Sequence, residues 1–377
     1  MYSRLLSTPQ GKSFFLFGPR GTGKTTWIKT QFPRAVYLDL LEAAIFNQLL
    51  ANPGRLESFI PNKFRDWIVI DEVQLVPELL NEVHRLIERD KLKFVLTGSS
   101  ARKLRQGGVN LLAGRALTNF FHPLTVKELG ADFNLDRSLR FGHLPSACTE
   151  TDPQRFLQSY VKTYLEEEIK QEGLTRNISA FARFLETASF SQGSVLNTSA
   201  VAREAAVERK VVENYFEILE DLLIAYRLPV FSKKAKRRLV RHRKFYFFDA
   251  GLYRALRPAG PLDQPEEIAG AALETLFFQE LLAINDYYQL GYKMFYYQTA
   301  AGKEVDFILY GPRGIKAFEV KHSAKISGKV LKGLRFFGRE YPQACCRLIY
   351  RGKRQLRIGT VDIIPAEMAF KNLASLL

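Results

Sequence analysis

Residues 18–25 read GPRGTGKT, between the apolar run SFFLF and the stretch KTTWIKTQF. The pattern GxxxxGK[ST] placed between a strand and a helix leaves a chain few options, and it predicts a phosphate-binding loop in a parallel α/β sheet. Glycines at 18, 21 and 23 let the backbone curl so that its N–H groups and the helix N-terminus face phosphate oxygens. Gly18, Gly21, Gly23, Lys24, Thr25 and Thr26 are therefore the expected ATP-binding residues, with Lys24 reaching the β- and γ-phosphates and Thr25 ligating Mg²⁺.

Three further apolar runs follow: AVYLDL at 35–40, WIVIDEV at 67–73 and KFVLTGSS at 93–100. Such runs separated by helical patterns read as buried parallel strands. WIVIDE ends in Asp71 and Glu72, the arrangement in which the Asp orients hydrated Mg²⁺ and the Glu polarises the attacking water. FVLTGSS offers Thr97, Ser99 and Ser100 at a strand tip for sensing the γ-phosphate, of which Ser99 is taken as the candidate. In LLAGR, Arg115 ends the next helix, where an arginine can be offered to the nucleotide of a neighbouring subunit or can simply lie on the surface.

With 46% hydrophobic and 25% charged residues in 377, the chain reads as globular with more than one domain, not as disordered. The formal net charge is +16, and each third of the sequence carries an excess of Lys and Arg. A polyanion such as DNA is the partner this balance favours. No run reaches the roughly 20 apolar residues that span a bilayer, and the N-terminus has no signal-peptide pattern. A cytoplasmic protein is expected. Cys148, Cys345 and Cys346 have no CxxC spacing, which suits a reducing compartment and a structural role.

Changes of pattern divide the chain into an ATPase core at 1–130, a helical lid-like region at 131–190, a unit at 191–256, a Pro/Gly-rich linker at 257–267 and an α/β domain at 268–377. The third part reads helix, turn, helix, strand, basic loop, strand, the order of a winged helix. Its loop, KKAKRRLVRHRK, has eight Lys or Arg among twelve residues: Lys233, Lys234, Lys236, Arg237, Arg238, Arg241, Arg243 and Lys244. These are the candidate DNA-backbone contacts, the alternative being a solvated hairpin. The preceding helix carries Glu208, Glu213, Glu217, Glu220 and Asp221, which oppose base readout by repelling the duplex.

GPRG occurs again at 311–314, without a following GK[ST], and here it predicts a hairpin turn. That turn brings Asp306 of EVDFILY close to Glu319 and Lys321 of AFEVK, while Glu274 in ALETLFFQEL can supply a third carboxylate. Carboxylates beside a lysine can hold Mg²⁺, or Mn²⁺, and activate water for phosphodiester hydrolysis. The expected metal ligands are thus Glu274, Asp306 and Glu319, with Asp306, Glu319 and Lys321 catalytic.

Taken together, GPRGTGKT, WIVIDEVQ, LTGSS, LLAGR, HPLTVKEL, FGHLPSA, YVKTYLEEEI, YFFDAGL, ALETLFFQEL and VDFIL with AFEVK resemble a bacterial and archaeal family. Its members are AAA-type ATPases with a C-terminal domain of unknown function, a winged helix and a restriction-endonuclease-like core. The resemblance covers nearly the whole chain, although His143 departs from a usually glycine-richer segment. It implies an AAA-type α/β fold with Lys24, Thr25, Asp71 and Glu72 on the nucleotide, Arg115 acting in trans, and a nuclease-like acidic motif at Glu274, Asp306, Glu319 and Lys321. The expected function is an oligomeric ATPase that recognises or remodels branched or broken DNA and can cut it. The alternatives are a non-cleaving, ATP-regulated binder of DNA structure and a protein-binding signalling or defence switch.

Overall fold

Apolar runs of five residues or so can bury both faces only as strands covered on each side, and the N-terminal part of the chain folds this way. Strands β1 (Ser13–Phe17), β2 (Val36–Asp39), β3 (Trp67–Asp71), β4 (Lys93–Gly98) and β5 (Ala116–Phe120) form one sheet in the order β2-β3-β4-β1-β5. Every neighbouring pair is parallel. All five residues of β1 are buried. Phe15 and Phe17 pack with Ile68, Ile70, Leu96 and the helix residues Val83 and Leu86, whereas Phe14 meets the rings of Phe32 and Trp67 on the opposite face.

The computed structural model describes residues 2–9, 11–99, 112, 114–165, 177–232 and 242–377, with only the backbone of 164 and 165. Its chain divides into two compact units, Ser3–His122 with Asp221–Leu223, and Pro123–Glu220 with Ile224–Leu377 and Tyr2.

The second unit opens with short helices, continues through helices Ile178–Ser189, Thr198–Glu204 and Arg209–Asp221, and then pairs β6 (Ala225–Leu228) antiparallel with β7 (Lys244–Phe247). A mixed six-stranded sheet follows. Its strands are β8 (Lys293–Gln298), β9 (Glu304–Gly311), β10 (Gly314–Lys321), β11 (Ala344–Tyr350), β12 (Leu356–Ile358) and β13 (Val361–Pro365), in the order β12-β13-β11-β10-β9-β8. The second GPRG is a two-residue hairpin turn, with Gly311 opposite Gly314 and Gly314 at φ 94°. Helix Pro265–Tyr287 lays Phe277 and Phe278 against Phe318 and Phe307 of this sheet. Leu334 and Phe337 of helix Lys332–Glu340 pack with Tyr297, Ile308, Ala317 and Leu348.

Two boundaries differ from the sequence reading. The long helix begins at Pro265, inside the stretch read as linker, because a proline at the first helical turn followed by Glu266 and Glu267 starts a helix. Strands β12 and β13, not foreseen, are short pieces that close the sheet edge.

YFFDAGL and FGHLPSA meet inside the second unit. Asp249 caps helix Ala250–Leu256 by accepting from the Leu252 N–H at 3.0 Å, and it also accepts from the His143 N–H at 2.8 Å. The fully buried His143 ring bonds Ser138 Oγ through Nε2 at 2.8 Å, so the residue that departs from the family pattern has become a core contact.

One packing contact can be tested directly. A Cβ on Gly333 would lie 1.8 Å from the Glu304 carbonyl oxygen. Alanine gains at most about 1 kcal/mol of helix propensity, but here helix and strand would have to part. Gly333→Ala should therefore lower the unfolding free energy by about 1–3 kcal/mol in denaturant titrations.

Candidate functional site

In the N-terminal sheet, parallel pairing sends the ends of β1, β3 and β4 to the same edge, where ligands bind in open α/β sheets. Gly18 follows β1, Asp71 ends β3, and Ser99 follows β4. Gly21 and Gly23 hold φ values of 79° and 92°, the left-handed region that favours glycine. Gly18 is needed for a different reason, since a Cβ there would lie 2.3 Å from the Phe121 carbonyl oxygen.

Helix Lys24–Gln31 starts at Gly23 with no side-chain cap, and the first turn of an α-helix needs acceptors from outside the helix for its N–H groups. An anion meets just this need. The Lys24 ammonium donates to the Gly18 carbonyl at 2.6 Å and the Pro19 carbonyl at 3.1 Å, closing the loop on itself. Thr25 Oγ1 donates to Asp71 Oδ2 at 3.2 Å. Thr26 lies exposed on the next position of the helix.

Asp71 gathers more than the sequence revealed. Its Oδ2 also accepts from the Tyr37 hydroxyl and its Oδ1 from the Thr97 hydroxyl. Burial, then the bond to Asp71, pushes the Tyr37 hydroxyl well above its ordinary pKa, so it stays a donor. Thr97 is thereby committed to Asp71. Glu72, at φ 58°, accepts from Gln74 Nε2 at 2.5 Å, and the same amide reaches Ser99 Oγ at 3.4 Å. Gln74 Oε1, on the same amide, is buried without a hydrogen-bond partner. Tyr37 and Gln74 were missed because only the parallel register of β2, β3 and β4 brings them in. Arg115 pairs with Glu88 on helix Leu79–Asp90. Ser100 lies outside the described residues.

This donor set fits a Mg²⁺-nucleotide: glycine cradle, uncapped helix start, one lysine, and a hydroxyl–carboxylate pair of the kind hard cations take.

The second cluster lies in the C-terminal unit. Asp306 and Glu319 face each other across the β9–β10 hairpin, in register with the Phe307–Phe318 pair. Lys321 Nζ lies 2.8 Å from Glu319 Oε1 and 3.5 Å from Asp306 Oδ2. The sequence reading brought these three together, with Glu274 near. It placed Lys244 on the basic loop facing DNA, and that is corrected here: the Lys244 side chain is 2% exposed and its Nζ lies 2.8 Å from Glu274, 2.9 Å from Glu304 and 2.8 Å from Asp306. The reason is its position as the first residue of β7, bridged to Val195 and turned into the unit. Arg243 stays exposed. Lys233, Lys234, Lys236, Arg237, Arg238 and Arg241 lie outside the described residues. Glu304, two positions before Asp306 and so on the same side of the strand, was a signal available but unused.

Burial opposes the charge on Lys244, yet Asp306 and Glu274 outweigh it and hold its pKa well above the ordinary value. Burial likewise acts against Asp306, but Lys244 and Lys321 bring it down to about 2. Glu319, raised by burial and by Asp306, is pushed up to about 8. A divalent cation does not fit this arrangement, because the Lys244 ammonium already stands among the carboxylates. Among the described residues, no group of three or more His, Cys, Asp or Glu side chains is placed to hold a metal ion.

Comparison with known proteins bears on the first cluster. Residues 10–130 match the family described as AAA domain. Over these residues the chain is similar to AAA domains. Residues 132–263 and 269–369 match two families described as domains of unknown function, DUF8612 and DUF4143. Over 362 residues the chain is 24% identical to the uncharacterized proteins Mb2031c of Mycobacterium bovis and Rv2008c of Mycobacterium tuberculosis, covering 93% of this chain and 79% of each relative. A Thermotoga maritima RuvB variant is 19% identical, covers 59% of this chain and 85% of its own, and has a TM-score of 0.27. The Bacillus subtilis DNA clamp loader delta protein YqeN is 14% identical, covers 73% and 94%, and has a TM-score of 0.25. At these TM-scores neither structure bears on function. Among the described residues, no helix is long and apolar enough to cross a membrane.

The pH response of the second cluster follows from Glu319. A carboxyl held above its ordinary 4.5 in the folded protein adds stability that is complete below that value and is lost as pH rises through about 8. Wild type should lose unfolding free energy between these limits, and Glu319→Gln should flatten the decline in denaturant titrations at stepped pH.

Proposed function

We propose that the chain hydrolyses ATP with its N-terminal site and couples turnover to DNA, which it binds without cutting. The observation that carries the hydrolytic reading is the uncapped helix start beside Lys24, Thr25 and Asp71 at the carboxyl edge of five parallel strands. In this reading Gly18, Gly21, Gly23 and Lys24 hold the phosphates, and Thr25 and Asp71 hold Mg²⁺, which supplies charge neutralisation to the transferred phosphoryl group. Thr26 lies alongside. Thr97 and Tyr37 fix the rotamer of Asp71, and Glu72 takes the proton of the attacking water once its bond to Gln74 is exchanged. Ser99 is proposed as the sensor and Arg115, released from Glu88, as the residue offered to a neighbouring subunit of a homo-oligomer.

The DNA reading is supported by the net charge of +16 and by the run of Lys and Arg between 233 and 243. A winged helix at 191–256, a restriction-endonuclease-like domain at 268–377 and a cytoplasmic location complete the proposal. Non-cleavage is favoured over a Mg²⁺- or Mn²⁺-dependent nuclease by one observation, the engagement of Glu274 and Asp306 with Lys244.

Purified protein should turn over ATP, and turnover should fall by roughly 10²–10³-fold in Lys24→Ala and by a similar or larger factor in Glu72→Gln. Unchanged turnover in Lys24→Ala would defeat the hydrolytic reading. Duplex binding should weaken with salt at a slope of about −0.9 per phosphate contact, and Arg237→Glu with Arg238→Glu should reduce that slope. Labelled linear duplex and four-way junction should stay intact with Mg²⁺ or Mn²⁺; metal-dependent cutting lost in Glu319→Gln would establish the nuclease instead.

A further inference from the structure

Three carboxylates from two elements converge on one point of the C-terminal unit: Glu274 from helix Pro265–Tyr287, and Glu304 and Asp306 from β9. The point is filled by an ammonium. Lys244 Nζ has three acceptors at 2.8, 2.9 and 2.8 Å, one for each of its three N–H donors, so the group is fully satisfied.

We propose that Lys244 is the resident cation of this cluster, a tethered ammonium that stands where a divalent ion would otherwise gather the carboxylates and that keeps such an ion out.

Charge and geometry support this. An unpaired carboxylate group of this kind, buried as Asp306 is, does not persist without a countercharge. Here the countercharge arrives covalently, on the first residue of β7, at an effective concentration that no free ion matches. Spacing also matters. Ammonium–carboxylate contacts of 2.8–2.9 Å hold the oxygens farther from the centre than the 2.0–2.1 Å of Mg²⁺ coordination. The remaining acceptor of Asp306, Oδ2, is taken by the Val320 N–H at 2.9 Å and by Lys321. Glu319 pairs with Lys321 through Oε1, and its Oε2 is buried without a hydrogen-bond partner. For a metal to enter, Lys244 would have to leave a site in which its side chain is 2% exposed.

The inference differs from the reading of the nucleotide site and needs neither ATP nor DNA. Mn²⁺ alone is the probe, added to nucleotide-free, full-length protein and followed by calorimetric titration and by the electron paramagnetic resonance signal of free Mn²⁺. Wild type should bind no Mn²⁺ through this cluster, and Glu274→Gln should leave its titration unchanged. Lys244→Ala, which removes the ammonium and leaves room, should gain one Mn²⁺ equivalent at an affinity at least tenfold above wild type. Lys244→Ala with Asp306→Asn should lose it again.

Mn²⁺ binding by wild type that disappears in Glu274→Gln would overturn the proposal, as would a folded Lys244→Ala protein that gains nothing. Because removal of a buried charge can unfold the unit, Lys244→Met, which keeps the stem, is titrated in parallel. The wild-type comparison with Glu274→Gln decides the matter by itself if neither variant folds. Failure here leaves ATP turnover and DNA binding untouched, so it cannot be confused with failure of the hydrolytic reading.

Discussion

An ammonium shut away from water must find its countercharges in the protein, and Lys244 finds them on a helix and a strand far apart in the sequence. This constraint ties the β6–β7 hairpin to helix Pro265–Tyr287 and to the start of β9 in one step. Removing one partner of a buried ion pair costs about 3–5 kcal/mol, largely because the other charge is left stranded. That cost attaches here to the buried partners, Lys244, Glu274 and Asp306, which hold β7, the helix and β9 together at this point. Tyr246, two residues on and so on the same face of β7, gives its hydroxyl to Glu274 as well.

The N-terminal unit is organised by a different economy. A parallel sheet places strand ends side by side without any contact designed between them, and Asp71 exploits this by collecting hydroxyls from three neighbouring segments: Thr25 after β1, Tyr37 on β2 and Thr97 on β4. The carboxylate is held by three neutral hydroxyl donors. In the second unit the carboxylates are held by ammonium groups, and their charge is already spent. The two acidic clusters, one built on hydroxyls and the other on ammonium groups, thus differ in their readiness for metal.

Much of this was legible in the sequence where the signal was local. SFFLF, WIVID and KFVLTG are strands because continuous apolar runs admit little else, and GPRGTGKT sits between strand and helix as its spacing demands. The second GPRG, with Asp306 and Glu319 on either side, followed from a two-residue turn and strict alternation. Lys244 was not legible. It ends a run of like charges, and such a run reads as a solvated face; only the pairing of β7 reveals that its last member points inward. Tyr37 and Gln74 likewise look like ordinary strand and turn residues until the register of three strands is known. The start of the long helix at Pro265 was written in the sequence, but proline and acids after a Pro/Gly-rich stretch were read as more linker.

Asp306 has a second duty that bears on how this protein is to be studied. Ladder pairing between β9 and β10 runs as far as Phe307 and Phe318, and beyond that point the Asp306 carboxylate, not a backbone carbonyl, receives the Val320 N–H. The side chain stands in for the missing rung. An alanine here removes a charge and at the same time unzips the end of a hairpin, so an inactive Asp306→Ala protein reports on architecture as much as on chemistry, and asparagine, which retains an acceptor oxygen, is the more informative replacement.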